Sequence, residues 1–531
     1  MKNYCYPVLF LSDLGITATA KFFLIRVLRC YRFTEVNDLV VTLERVIGMS
    51  DYLLKKVRTE LVNKGYLTML TSCTEGKQGR PRMAFKISDS FKVKLDSFYD
   101  PHSGNYRKPL PIYATRLEML FENNYKNKKL PISQMKPDTR VLLAVLYCHA
   151  DDCGVVRGLG RSALGRLAGM AVDRLDTHLD NLFELKYILS QVSGVTSKYL
   201  FGLASSVIYL NIYFDNLISS NENKILIMYQ STHYESSLSD GFGRKFSELI
   251  RRHKYALDSD IKNIDNFSAI QRVKANFKSG VFVGVDLRKV GNPNPKDILR
   301  HAVKDYYGWM DDFISFDFEH FFDIRNSEVL ADYIDLKVGV VATVLISKFF
   351  NDLNLSVVNL IDEVVYEIKK EFFSSVMRKK FEKFALPEYI GKERLVYEAF
   401  VLLIYRAAYQ EALYAKYMII LGLTIYPELK YSIKSLNFTI LATPISNYRG
   451  FKKTAITVGI GDISFLDRES CLCMLFDSEE RIEVKKAKQY NYALDGEFRT
   501  GIGKFWLFPD WVSRDEISQH LKRYMVSAFK S

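Results

Sequence analysis

At 531 residues the chain is long enough for roughly three or four domains, and 48% hydrophobic with 25% charged residues excludes a disordered or fibrous polymer. The formal net charge of +13 is unevenly placed: residues 1–150 hold 24 Lys+Arg against 13 Asp+Glu, whereas residues 151–531 hold 50 against 48. A polyanionic partner is therefore expected on the opening quarter of the chain.

The first residues, MKNYCYPVLFLSDLG, lack the apolar core and small-residue cleavage site of a signal peptide. Seven scattered cysteines (Cys5, Cys30, Cys73, Cys148, Cys153, Cys471 and Cys473) read as reduced thiols of a cytoplasmic protein. The apolar stretch 338–346 is too short to span a bilayer. The stretch 399–426 is interrupted by Arg406, Glu411 and Lys416, so both read as buried helices and no membrane partner is expected.

The pattern over 43–67, LERVIGMSDYLLKKVRTELVNKGYL, predicts a short helix ending at Gly48, a tight turn, and a second helix from 51 to Gly65. Ser50 is the expected N-cap, with Asp51 complementing the helix dipole. Leu54, Val57 and Leu61 form the inward stripe, with Leu53 beside them. Tyr52, Lys55, Lys56, Thr59 and Asn63 form the outward one, and Arg58 lies at the border. Alternation over 66–72 predicts a strand, followed by the loop CTEGKQGRP and a second strand, RMAFKIS. That loop carries Lys77, Arg80 and Arg82, and Pro81 restricts it.

Residues 164–188 repeat 43–67 without gaps at an offset of 121, with seven of 25 positions identical. The identities include the turn glycines (Gly48, Gly169), the inward leucines (Leu54 and Leu175, Leu61 and Leu182) and Tyr66 with Tyr187. A strand, loop and strand are expected over 187–204, and a small extra strand at 153–156. Charge separates the repeats: 51–65 has four basic and two acidic residues, whereas 172–186 has two basic and four acidic ones. His178 replaces Val57 and reads as a packed histidine. The Pro-, Asn- and Lys-rich segments 100–113 and 123–138 read as linkers around a short helix.

Over residues 17–95 and 138–213 this grammar resembles bacterial winged helix-turn-helix transcription regulators, and Gly79-Arg80-Pro81-Arg82 is similar to the Gly-Arg-Pro wing of many of them. The resemblance implies a recognition helix in the major groove and a wing arginine in the minor groove of duplex DNA. Its DNA-contacting residues would be Tyr52, Lys55, Lys56, Thr59, Lys77, Arg80 and Arg82. The acidic second repeat is expected to bind DNA weakly or to serve a protein interface.

Beyond 216 the pattern is largely helical. The segment 241–263 carries Arg244, Lys245, Arg251, Arg252 and Lys254, either a solvated face or a second phosphate-facing surface. A strand is expected over 281–290, and 311–323 reads as an amphipathic helix with Asp312, Glu319 and Asp323 outward, beside His320. Glu483-Val484-Lys485, with Asp467 and Asp477 upstream, faintly resembles the metal-binding pattern of restriction-type nucleases. Glu-x-Lys is too common to assign a catalytic residue, and no cofactor or metal is implied.

The expected fold is mostly α with small β-hairpins: tandem winged helix domains, then a large helical region and a C-terminal α+β domain. The divisions are a first winged helix (1–100), a linker with a short helix (101–137), a second winged helix (138–215), a mixed connector (216–300), a helical domain (301–430) and a strand-rich domain (431–531). The leading function is double-stranded DNA binding by a transcription regulator of a bacterium or mobile element. The alternatives are a replication initiator or other mobile-element DNA-processing protein, and a protein or RNA interaction scaffold. The C-terminal region would oligomerise or bind a protein partner.

Overall fold

A computed structural model describes residues 5–70, 82–100, 113–122, 135–151, 154–185, 187–210, 225–232, 241–255, 265–278, 308–321, 327–350, 352–353, 360–384, 392–425, 436–442, 454–460, 470–476 and 482–488. The chain is mostly helical with small, largely antiparallel sheets. It divides into two units, residues 1–189 with 207–222, and residues 190–206 with 223–531.

In the first unit, α1 (Cys5–Phe10) precedes α2 (Ala18–Cys30), whose apolar residues from Phe22 to Leu28 are buried. β1 (Val36–Leu39) leads into α3 (Val40–Leu43), and the last turn of that helix widens to π geometry over Glu44–Gly48. Gly48 takes the left-handed conformation (φ 80°) that the turn requires, and α4 (Asp51–Asn63) follows. β2 (Leu67–Met69) and β3 (Arg82–Ile87) complete an antiparallel sheet in the order β1-β3-β2, with Val36 and Met69 both opposite Phe85. α5 (Asp89–Asp96) starts at Ser88, whose hydroxyl accepts the Phe91 N–H at 3.3 Å. Within the expected linker, α6 (Ala114–Leu120) is the short helix.

The second repeat uses the same order of elements. α7 (Pro137–His149), β4 (Val155–Val156), α8 (Arg161–Ala168) and α9 (Val172–Glu184) lead to β5 (Ile188–Val192), which starts in the first unit and ends in the second. The hairpin β6 (Val195–Ser197) and β7 (Gly202–Ala204) belongs to the second unit. β8 (Val207–Leu210) then returns to make a sheet ordered β4-β8-β5. This corrects the expected strand-loop-strand over 187–204: the closing strand is β8, and 195–204 is a separate hairpin between the two strands. Helices α4 and α9 both have 13 residues and begin 121 residues apart. They also end alike, with Tyr66 N–H donating to the Leu61 carbonyl and Tyr187 N–H to that of Leu182, both at 2.9 Å.

The repeats pack into one body through their leading helices, α2 on α7. Thr19 Oγ1 donates to Asp138 Oδ1 at 2.6 Å, and Ala18 N–H to the Gly169 carbonyl at 2.9 Å. Lys21 is buried between them, its ammonium donating to the carbonyls of Val8 (3.1 Å), Leu11 (3.2 Å) and Leu167 (2.7 Å). Desolvation lowers its pKa to about 7, and Asp13 opposes the shift.

The second unit holds β9 (Ile225–Thr232), α10 (Phe242–Tyr255), α11 (Asn266–Lys278), α12 (Ser327–Lys348), α13 (Asp362–Phe372), α14 (Ser375–Phe384) and α15 (Lys392–Ile425). Its core is aromatic, with Phe246, Phe318, Phe321, Phe372 and Phe373 gathered around Phe400 of α15. The expected amphipathic helix over 311–323 is corrected. Two 3-10 segments, Gly308–Phe313 and Glu319–Phe321, turn Phe313, Phe316, Phe318 and Phe321 inward, an alternation that a straight helix would not serve. Four C-terminal strands, β10 (Leu436–Ala442), β11 (Thr454–Ile460), β12 (Ser470–Phe476) and β13 (Ile482–Lys488), form one sheet with β9 in the order β10-β11-β9-β12-β13. The strand-rich end of the chain therefore takes its central strand from residues 225–232, within the expected connector. The expected strand at 281–290 lies outside the described residues. No helix among the described residues is long and apolar enough to cross a membrane.

Candidate nucleic-acid interface

Helix α4 separates its two faces as its sequence predicts. Leu54, Val57 and Leu61 are buried, and burial of side chains of this size contributes about 1.5–3 kcal/mol each. Tyr52 (73% exposed), Lys55, Lys56, Thr59 and Asn63 lie on the solvent side. The helix is clamped from behind: Glu60 accepts both the Thr17 N–H (2.6 Å) and its hydroxyl (2.8 Å) at the start of α2. Tyr66, just past the helix, donates its hydroxyl to the Leu14 carbonyl at 3.0 Å and stacks on Phe91 at 4.4 Å. These contacts anchor the C-terminal end of α4 on the side away from its outward stripe.

The helix start differs from expectation in one respect. Ser50 has the extended N-cap backbone, but its side chain makes no capping hydrogen bond. The carboxylate of Glu44 accepts the Asp51 N–H at 2.5 Å instead, because the widened turn brings it back over the helix end. Lys55 pairs with Asp51 at 2.7 Å, one helical turn away, with side chains 63% and 37% exposed. A pair this exposed contributes only about 0.3–0.5 kcal/mol, so the ammonium can exchange its carboxylate for a phosphate at little cost. Thr59 donates its hydroxyl to the Lys55 carbonyl at 3.1 Å, which leaves its oxygen able to accept. Arg58 is half-buried, and desolvation lowers its pKa against the opposing influence of Asp51.

Lys77, Arg80 and Pro81 lie outside the described residues, and Arg82 is the first residue of β3. The structure thus brings Tyr52, Lys55, Lys56 and Thr59 onto one exposed face. Arg45 is exposed in the last turn before Gly48 and is matched by the identical Arg166 in the second repeat.

The corresponding positions of α9 are Asp173, Asp176, Thr177, Asp180 and Glu184, for Tyr52, Lys55, Lys56, Thr59 and Asn63 in turn. All five lie toward solvent, Asp176 half-buried with Arg161 at 3.4 Å. His178 packs inward as expected, its Nδ1 2.8 Å from Thr139 Oγ1, and desolvation lowers its pKa.

In the second unit, three of the five cations of α10 already face carboxylates: Lys245 meets Glu248 at 3.1 Å, Arg252 meets Asp311 at 2.6 Å and Lys254 meets Glu319 at 2.7 Å. Asp312 is held by Arg406 at 3.0 Å and Asn276 at 3.1 Å. Among the described residues no group of His, Cys, Asp and Glu could hold a metal ion. Asp323, Asp467 and Asp477 lie outside them. No protein-family model matches the chain, and no curated protein matches it.

Proposed function

We propose that the chain binds double-stranded DNA through its first repeat, folded as a winged helix, and that it acts as a transcription regulator of a bacterium or mobile element. Helix α4 would enter the major groove, with Lys55 and Lys56 on phosphates or a guanine edge and Thr59 on a base edge or thymine methyl. Lys77, Arg80 and Arg82 would follow the adjacent minor groove. The observation that carries this reading is the exposed stripe Tyr52, Lys55, Lys56 and Thr59, opposite the buried Leu54, Val57 and Leu61, on a helix held near its end by Glu60 and Tyr66 and capped at its start by Glu44. The order helix, strand, two helices and hairpin, with the sheet ordered β1-β3-β2, supports it. So does the concentration of positive charge in residues 1–150.

The test is selection of binding sites from genomic duplexes with the intact protein, repeated with K55A/K56A/R80A/R82A. Removing cations that meet phosphates weakens binding across all sequences, and removing a side chain that reads a base relaxes specificity at one position. Wild-type affinity in the quadruple variant at physiological salt refutes the assignment. The tandem repeat within one unit also suits a replication initiator, which origin-type repeats among the selected sites would identify.

A further inference from the structure

We infer that one chain reads one stretch of duplex: the second repeat has the frame of a DNA reader without the means to hold DNA, so a target with two half-sites takes two chains. This rests on the DNA-binding reading of the first repeat and goes beyond it by fixing how many stretches of duplex each chain holds.

Three independent features of the second repeat carry the inference. At the α9 positions that match the outward stripe of α4, Asp173, Asp176, Asp180 and Glu184 stand where the first repeat has Tyr52, Lys55, Thr59 and Asn63. Four carboxylates on that face meet a phosphate backbone unfavourably and offer acceptors where most exposed phosphate oxygens need donors.

The hairpin that would be its wing is used elsewhere. Leu200, at the tip between β6 and β7, is fully buried in the core of the second unit. The strap is held by backbone: Phe201 N–H donates to the Phe372 carbonyl at 2.8 Å and Ser374 N–H to the Tyr199 carbonyl at 3.1 Å. Ser374 Oγ donates to the Lys198 carbonyl at 2.8 Å and accepts the Met377 N–H at 3.4 Å, which joins the tip to the start of α14. A wing that follows a minor groove must present its tip to solvent, and this one is an internal part of a protein core.

The turns also differ. A Cβ at Gly48 would meet nothing within 4 Å, whereas one at Gly169 would lie 2.3 Å from the Ile16 carbonyl oxygen. The turn of the second repeat is thus covered by residues 16–18 and that of the first is open.

The experiment uses the full-length chain on a duplex obtained by selection. Hydroxyl-radical footprinting and native mass spectrometry are run on wild type, K56A/T59A and T177A/D180A. The expected result is one protected segment per bound chain, a loss of affinity in K56A/T59A, and affinity in T177A/D180A within about twofold of wild type. The inference is overturned by a complex of one chain per duplex with two protected segments about 10 base pairs apart. A loss of about tenfold or more in T177A/D180A overturns it equally. Failure of the underlying reading looks different: wild type then protects no duplex, and the inference falls with its premise.

Discussion

Gly48 and Gly169 occupy the same turn of the two repeats, and replacing each separates backbone strain from steric contact. Both take positive φ, 80° and 71°, so an alanine at either costs about 1–2 kcal/mol in strain. At Gly48 that is the whole cost, because the added methyl meets nothing within 4 Å. At Gly169 the methyl would sit 2.3 Å from Ile16 O, 2.8 Å from Ala18 N and 2.8 Å from Thr17 C. These are backbone atoms, so the segment must retreat by roughly 1 Å, adding about 1–3 kcal/mol of repacking. The retreat also weakens the Ala18 N–H bond to the Gly169 carbonyl, a further loss of about 1 kcal/mol. G169A is therefore expected to cost about 3–6 kcal/mol and G48A about 1–2 kcal/mol. Asparagine, which tolerates the left-handed conformation, recovers most of the loss at position 48 and little at 169. Hydrogen exchange of the amides of α2 and α8 reads the local opening energy without requiring the whole chain to unfold in one step. If G169A opens no more readily than G48A, the contact between the second turn and residues 16–18 does not carry the packing of the repeats.

Three further outcomes rest on the same structural features. The slope of log affinity against log salt for duplex binding is expected to fall by about 0.9 for each phosphate the protein no longer neutralises, so K55A/K56A flattens it by up to about 1.8; an unchanged slope in filter binding removes both lysines from the interface. L200A leaves a cavity in the core of the second unit and is expected to destabilise it by about 2–5 kcal/mol with DNA affinity intact, measured by urea unfolding alongside the binding assay. Lys21 titrates near 7 when folded against 10.5 unfolded, so the folded state holds fewer protons between those values and its contribution to stability increases as pH rises through that window. Thermal unfolding of wild type against K21M at pH about 6.5 and about 9.5 should therefore show wild type gaining on the variant at the higher pH; wild type losing ground contradicts the assigned shift.

The sequence alone determined the repeat and much of the first candidate face. Spacing of Leu54, Val57 and Leu61 at helical period, and a glycine where the backbone must turn left-handed, are local signals. They set which side of α4 is buried before any partner is known. Charge along 51–65 and 172–186 likewise distinguished the two helices without coordinates. Tertiary structure decided what depends on residues distant in sequence. Glu44 rather than Ser50 serves the start of α4, because the widened turn returns its carboxylate there. Residues 311–321 form turns around a phenylalanine cluster, since α15 offers Phe400 as a common packing partner. Lys21 is buried because three carbonyls from segments up to 146 residues away receive its ammonium. The segment 225–232 becomes a central strand only because strands beginning at 454 and 470 flank it. The hairpin 195–204 resembles a wing in sequence, since a strand-loop-strand pattern reads the same whether its tip meets solvent or a core. Burial of Leu200 within the core of the second unit settles that choice, and no local pattern contains it.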